Sequence, residues 1–350
     1  MNYGMLFTFN IALPIILTWF LLDITRKASI KLKLFAVPNE RSSHDKIIPT
    51  TGGIALSISW LLITFLFIAS NDMYSSTELF LYILGGVIMT IVGFYDDIKE
   101  MRSSFKLIMQ IFVFFIISFA DNSLINSLHG LFGIYELSYI QSILFSLFVF
   151  VVIINSINLI DGIDGLSSTI TLFYLTITSF YCFVNDYYFS GLLLSFCSSL
   201  IVFIFFNYSK SKKIFLGDTG SLGLGFTVAL ITLGWLNSNH QLANTLPLNH
   251  SLFLVLMLSY PLLDVIRVFT IRTLRGKSFM TADRNHIHHK LIDIGFTHKK
   301  AVLIILISKL LLIIFNIIFI SELDIHIQIL INAALITGLL LFLYKTPNKN

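Results

Sequence analysis

Three histidines stand between an arginine and a lysine in Ala282-Asp283-Arg284-Asn285-His286-Ile287-His288-His289-Lys290. Three histidines can build a zinc site. Here, however, Arg272, Arg275, Lys277, Arg284 and Lys290 crowd the same stretch. Cations this close oppose a metal ion and favour a polyanion such as a diphosphate. A solvated basic loop is the plain alternative. On a helix His286 and His289 share a face, while His288 points elsewhere.

The complementary chemistry is acidic and lies in three other segments. Asp96 and Asp97 are adjacent in Tyr95-Asp96-Asp97-Ile98-Lys99-Glu100, and neighbouring carboxylates repel unless a cation or proton sits between them. Asn155-Ser156-Ile157-Asn158-Leu159-Ile160-Asp161-Gly162-Ile163-Asp164-Gly165 holds two Asp-Gly pairs. Its glycines let the backbone approach a ligand, and its Asn and Asp side chains offer the hard oxygens that Mg²⁺ prefers. Phe215-Leu216-Gly217-Asp218-Thr219-Gly220-Ser221 supplies either a helix cap or a metal ligand. Acidic groups for a divalent cation beside cations for phosphates are the parts of phosphoryl transfer.

What positions these segments is a strongly apolar chain. Of 350 residues, 56% are hydrophobic and 12% charged, with a mean hydropathy of +0.86, whereas a soluble domain carries roughly 25% charged residues. The sequence therefore predicts an all-α, polytopic integral membrane protein. Windows of about 20 apolar residues give eleven candidate spans, near 4–22, 52–70, 79–95, 104–120, 140–158, 166–184, 187–207, 221–236, 251–269, 301–320 and 326–344. The 221–236 window is short and interrupted by Gly223, Gly225 and Gly234.

Lysine and arginine alternate with these spans. Segments 71–78, 121–139, 185–186, 237–250 and 321–325 hold none, while 23–51, 96–103, 208–220, 270–300 and the C-terminal tail hold nearly all. The positive-inside rule makes the basic side cytoplasmic, with the N-terminus outside and the C-terminus inside. Lys106, Arg267 and Lys309 fall within spans. The first span lacks a basic leading region and a small-residue cleavage site, so it is expected to be retained. Cys182 and Cys197 sit in apolar segments without CxxC spacing and read as packing residues. Without repeats or a linker, residues 1–350 read as one transmembrane domain with cytoplasmic loops near 23–51, 96–103, 155–165, 208–220 and 270–300.

Taken in order, these segments resemble the polyprenyl-phosphate N-acetylhexosamine-1-phosphate transferases, a glycosyltransferase family 4 group that starts bacterial cell-surface polysaccharides. Val37 to His44 and Pro49-Thr50-Thr51-Gly52-Gly53 resemble the first cytoplasmic loop, Asp96-Asp97 the acidic pair, Asn155 to Gly165 the NxxNxxDGxDG run, and Phe215 to Ser221 the FxGDxGS run. His286-Ile287-His288-His289 after Ala-Asp-Arg is similar to the branch using UDP-N-acetylhexosamines, which also shares the eleven-span count. Thr51 departs from the arginine that many members of that branch carry.

The resemblance implies transfer of a sugar 1-phosphate, with UDP-GlcNAc as the default donor, to undecaprenyl phosphate at the cytoplasmic face of a bacterial inner membrane. UMP is released, and the lipid-linked sugar serves O-antigen lipopolysaccharide, teichoic acid or related polymers. It implies Mg²⁺, or Mn²⁺ in its place, with Asp218 as main ligand and Asp97 nearby. Asp96 would act as base on the lipid phosphate. Asp161, Asp164, Asn155 and Asn158 would serve the nucleotide, Gly162-Ile163 would read uracil, and Phe215 would stack on it. Lys46, Arg284, His286, His288 and His289 would meet the diphosphate or lipid phosphate. Same-chemistry alternatives are UDP-FucNAc, UDP-QuiNAc or UDP-MurNAc-pentapeptide as donor, and an aspartyl nucleophile in a two-step route. The expected partners are these substrates, the bilayer and a second copy of the chain, with no nucleic acid. A lipid-linked sugar flippase is the rival from another class. Transporter sites lie near the midplane, whereas these residues gather at span ends.

Overall fold

A computed structural model of the protein describes residues 3–36, 48–69, 76–120, 123–183, 187–237, 248–276 and 285–347. Among them the apolar windows all fall on helices. In chain order these are α1 (Tyr3–Leu32), α2 (Gly52–Ala69), α3 (Ser76–Ile98), α4 (Ser103–Ile117), α5 (Tyr139–Leu159), α6 (Leu166–Cys182) and α7 (Tyr187–Asn207). There follow α8 (Gly217–Asn237), α9 (His250–Met257), α10 (Ser259–Leu274), α11 (Ile287–Asp293), α12 (His298–Phe315) and α13 (Ile325–Lys345). A two-residue antiparallel pair, β1 (Phe35–Ala36) with β2 (Ile48–Pro49), closes the first loop.

Six helical stretches are long and apolar enough to cross a membrane: Thr77–Ile98, Tyr139–Leu159, Phe189–Asn207, Gly217–Leu236, His298–Ile320 and Ile325–Lys345. Several apolar helices of that length mark a membrane protein. The windows near 52–70, 104–120 and 166–184 form shorter helices, Gly52–Phe67, Ser103–Ile117 and Leu166–Cys182. The 251–269 window is not one rod but two helices meeting at 75°. Pro261 explains the break, because it has no N–H for the carbonyl of Met257 and its ring crowds that carbonyl.

The glycine-interrupted window near 221–236 proves to be the centre of the bundle. α8 starts at Gly217, earlier than the hydropathy shows, and packs against α2, α3 and α5. Gly220 and Gly225 of α8 are contact points. A Cβ on Gly225 would lie 2.8 Å from Ile154 Cα of α5, and one on Gly93 of α3 would lie 2.5 Å from Thr219 Cα. Without a hydrophobic drive between helices in lipid, such close backbone approach is what holds them together.

Outward faces stay apolar: Phe80, Phe119, Leu330, Leu339 and Phe342 are exposed. Polar side chains that enter the bundle mostly find partners, as where Asn316 and Asn332 exchange amide hydrogen bonds at 2.8 and 2.7 Å. Lys309 is buried with its Nζ 4.5 Å from the Phe173 ring centre and, among the described residues, no hydrogen-bond partner. Cys182 and Cys197 form no disulfide with each other.

Candidate active site

At one end of the bundle the first loop is pressed onto the start of α8. Phe215 N donates to Pro49 O (2.7 Å), Gly52 N to Phe215 O (3.0 Å) and Gly53 N to Leu216 O (2.8 Å). A Cβ on Gly53 would overlap the Gly220 backbone and approach Leu216 O to 2.5 Å, so no larger residue fits. Thr51, in place of an arginine, is buried and donates to Thr25 O at 3.1 Å, tying this loop to α1.

The α8 start is capped from outside. Asp97, on the last turn of α3, accepts from Asp218 N at its Oδ1 (2.7 Å) and from Thr219 N (3.0 Å) and Thr219 Oγ1 (2.5 Å) at its Oδ2. A carboxylate on the first amides of a helix satisfies donors that have no intrahelical partner and complements the helix dipole. Asp218 is thereby aimed at a cluster of oxygens. Its Oδ1 accepts from Asn158 Nδ2 at 2.6 Å, and that amide also donates to Ser221 Oγ at 2.8 Å.

Lys106 of α4 bridges the two acidic segments. Its ammonium pairs with Asp96 Oδ2 and lies 3.2 Å from Asp218 Oδ2, while Met101 N donates to Asp96 Oδ1 at 2.6 Å. An intramembrane lysine is costly unless it serves such a site, and that was the one signal in the sequence pointing to it. Asn155, one turn before Asn158, is paired with Gln110 instead (2.6 and 3.3 Å) and braces α5 against α4.

The two Asp-Gly pairs diverge. Ser167 Oγ donates to Asp161 Oδ1 at 2.5 Å, yet burial, reinforced by the charges of Asp218, Asp97 and Asp164, pushes the Asp161 carboxyl up to about 7. Asp164 is pulled the other way. Burial opposes its charge, but His298 Nδ1 (3.0 Å) and Lys213 Nζ (2.6 Å) outweigh it and hold the carboxyl below its usual range. The Lys213 ammonium also lies 5.4 Å from the Phe215 ring centre, a cation–π distance. Ile163 is buried.

Because Asp161 is raised, its native state favours the neutral form. Its contribution to stability is then full below the unfolded value of 3.8 and is lost as pH rises towards 7. Asp161→Asn keeps the acceptor for Ser167 and removes the charge. The melting temperature of this variant, relative to the unsubstituted protein, should therefore rise between pH 4 and pH 8 (roughly the interval between the two carboxyl values). Scanning fluorimetry across that range checks the sign; a flat difference would refute it.

The histidines form a third group on α11 and its cap. His286 Nδ1 lies 2.6 Å from Asp264 Oδ2, and His288 Nδ1 lies 3.3 Å from Tyr260 OH. Ring centres are 5.3 Å apart for His286 and His288 and 4.3 Å for His288 and His289. His288 is 0% exposed, and burial, with the charges of His289, His286 and His298, holds it well below its ordinary value. It is thus neutral, and its Nε2 abuts Gly162 so closely that a side chain there would collide. His288 couples the histidine segment to the first Asp-Gly turn. Asp264, His286 and His288 also present one metal-ligand atom each within 4.8 Å of one another.

Of the residues expected from sequence, Asp96, Asp97, Asn158, Asp161 and Asp218 converge. Asp164 and Phe215 meet through Lys213, and Gly162 meets the histidines. Lys46 and Arg284, with Val37 to His44 and Lys277, lie outside the described residues. Sequence reasoning passed over Gln110, Ser167, Lys213, Tyr260, Asp264 and His298. Asp264 had a usable signal, a carboxylate inside an apolar window; Ser167 and Gln110 had none.

The fold and this site define a polytopic helical membrane protein with carboxylates, amides, cations and histidines gathered at one end. Residues 79–235 match the model of glycosyl transferase family 4. The chain is 30% identical over 302 residues to the undecaprenyl-phosphate alpha-N-acetylglucosaminyl 1-phosphate transferase of Salmonella typhi, covering 83% of this chain and 77% of that one. It is 28% identical over 284 residues to a probable undecaprenyl-phosphate N-acetylglucosaminyl 1-phosphate transferase of Bacillus subtilis (strain 168), covering 81% and 76%. A shorter match, 34% over 104 residues, is to the decaprenyl-phosphate N-acetylglucosaminephosphotransferase of Mycobacterium tuberculosis (strain ATCC 25618 / H37Rv), covering 28% and 26%. The chain belongs to glycosyl transferase family 4.

Proposed function

We propose that this protein transfers N-acetylglucosamine 1-phosphate from UDP-GlcNAc to undecaprenyl phosphate, releasing UMP and forming the lipid-linked sugar that begins a cell-surface polysaccharide. The observation that carries the reading is Asp218, presented by a helix start that Asp97 caps and flanked by Asn158, Lys106 and Asp96. Two relatives that align over most of this chain are named as undecaprenyl-phosphate N-acetylglucosaminyl 1-phosphate transferases.

Asp218, with Asn158, Asp161 and Asp97 beside it, offers oxygen donors, the set suited to Mg²⁺ or Mn²⁺. Bound there, the cation would neutralise charge on the diphosphate of the donor. Asp96 is the base for the lipid phosphate, and Lys106 stands between it and Asp218 as a fixed positive charge. Asp164, kept ionised by Lys213 and His298, and the half-buried Phe215 form the nucleotide side, with Gly162 and Ile163 in the turn between. His286, His289, Lys46 and Arg284 are the groups for the phosphates, and His288 holds the histidine segment to Gly162. The site belongs on the cytoplasmic side of a bacterial inner membrane, in a chain of eleven spans with the N-terminus outside, and residues 1–350 act as one domain. The basic loops around it support that sidedness.

The test is an assay of purified protein with undecaprenyl phosphate and a panel of UDP-N-acetylhexosamines. UMP and a lipid-linked GlcNAc phosphate, identified by mass spectrometry, are the expected products. Chelation should stop UMP release and added Mg²⁺ should restore it. Release from UDP-FucNAc or UDP-QuiNAc alone would reassign the sugar. Movement of a lipid-linked sugar across vesicles without UMP release would make the protein a flippase.

A further inference from the structure

One face of α10 reads the histidine segment residue by residue. Tyr260, Asp264 and Arg267 stand four and three residues apart, which puts them on adjacent turns of one helical face. Tyr260 OH meets His288 Nδ1, Asp264 meets His286 and Ile287, and Arg267 Nη1 donates to Asn285 O at 2.5 Å. Tyr344 of α13 joins the same point, with its ring centre 4.4 Å from the Arg267 guanidinium. The Pro261 break directs this face at the site.

Asp264 is the centre of this arrangement. It is 0% exposed, and a carboxylate so placed is costly unless its oxygens are hydrogen-bonded. Both are: Oδ1 accepts from Ile287 N at 2.8 Å, and Oδ2 lies 2.6 Å from His286 Nδ1. A carboxylate only accepts, so the proton of that second bond belongs to His286 Nδ1. Nε2 is then the ring nitrogen that Asp264 does not engage.

We propose that Asp264 is a positioning residue that fixes His286 as its Nδ1–H tautomer and locks the start of α11, leaving Nε2 as an acceptor for an O–H of the substrate. The proposal rests on the phosphotransferase reading for its effect on turnover, but not for the tautomer. The same three groups lie within metal-binding distance, but His286 Nδ1 is committed to Asp264 and His288 Nδ1 to Tyr260.

Asp264→Asn keeps the volume and one acceptor, which Ile287 N can retain. The amide NH₂ then faces His286 Nδ1 and forces the proton to Nε2. With the protein in detergent and its own substrates, kcat should fall at least about 100-fold, towards the roughly 10⁴-fold loss of a wrong-tautomer carboxylate–histidine variant, while KM for UDP-GlcNAc stays within about threefold, since Asp164 and Phe215 on the nucleotide side are untouched. The Asp264→Asn/His286→Ala double variant should be no slower than His286→Ala alone. Multiplying losses, or a KM effect without a kcat effect, would overturn the positioning role.

The second measurement needs no turnover. Imidazole ¹⁵N spectra, with His286 assigned by difference from His286→Gln, should show a protonated Nδ1 in the unsubstituted protein. A protonated Nε2 there, or stoichiometric zinc in purified protein, would overturn the proposal. If the unsubstituted protein releases no UMP, the functional reading fails, while the nitrogen spectrum still decides Asp264.

Discussion

Asp218→Asn should lower metal-dependent UMP release by at least about 10³-fold, equivalent to about 4 kcal/mol of transition-state stabilisation. The expectation follows from where the structure spends its interactions. Asp218 opens α8, and its own backbone N–H is held by Asp97. Its side chain receives Asn158 and Lys106 and lies beside Asp96. An asparagine keeps an acceptor for Asn158 and leaves Lys106 paired with Asp96, so the helix and its neighbours should hold. What disappears is one negative charge from an oxygen-donor set. Metal titration monitored by UMP release, alongside an unchanged melting temperature, separates this loss from unfolding. Full activity in the variant would remove Asp218 from the metal site.

The second large effect concerns the backbone. Gly53→Ala should destabilise the protein by on the order of 3 kcal/mol, the upper range for forcing atoms into a packed contact. Gly53 lies against Gly220 and Leu216, and the added methyl would overlap peptide atoms that no rotamer change can move. The backbone hydrogen bonds from Gly52 and Gly53 to Phe215 and Leu216 would be strained as well. Because those contacts press the first loop onto the helix that presents Asp218, stability and UMP release should fall together. Gly234→Ala in the same α8, where a Cβ meets nothing within 4 Å, is the matched control and should behave like the unsubstituted protein. A stable, active Gly53→Ala protein would mean that the loop and α8 are not in this contact.

Much of this was legible in the amino-acid order. An apolar run long enough to span a bilayer, the motif segments between such runs and the basic stretches beside them are linear properties. Each apolar window became helix, and Asp96, Asp97, Asn158, Asp161 and Asp218 came together as their residue types implied. The glycines near 221–236 weakened that window only because hydropathy scores composition. In the fold, Gly225 is where α8 touches the α5 backbone.

Only the tertiary structure decided which groups serve each other. Asp96 and Asp97 are identical neighbours in sequence, yet one pairs with Lys106 and the other caps α8. Asp161 and Asp164 stand three residues apart, yet burial raises one and a lysine with a histidine lowers the other. The histidine segment owes its geometry to Tyr260, Asp264 and Arg267, on a helix that hydropathy reads as a plain span. The physical reason is one of range. Hydrophobicity and turn chemistry act within a helix turn or a bilayer thickness of chain. Hydrogen bonds and buried charges select partners across 22 residues for Asp264 and His286, and 121 for Asp97 and Asp218, which only packing can bring within reach.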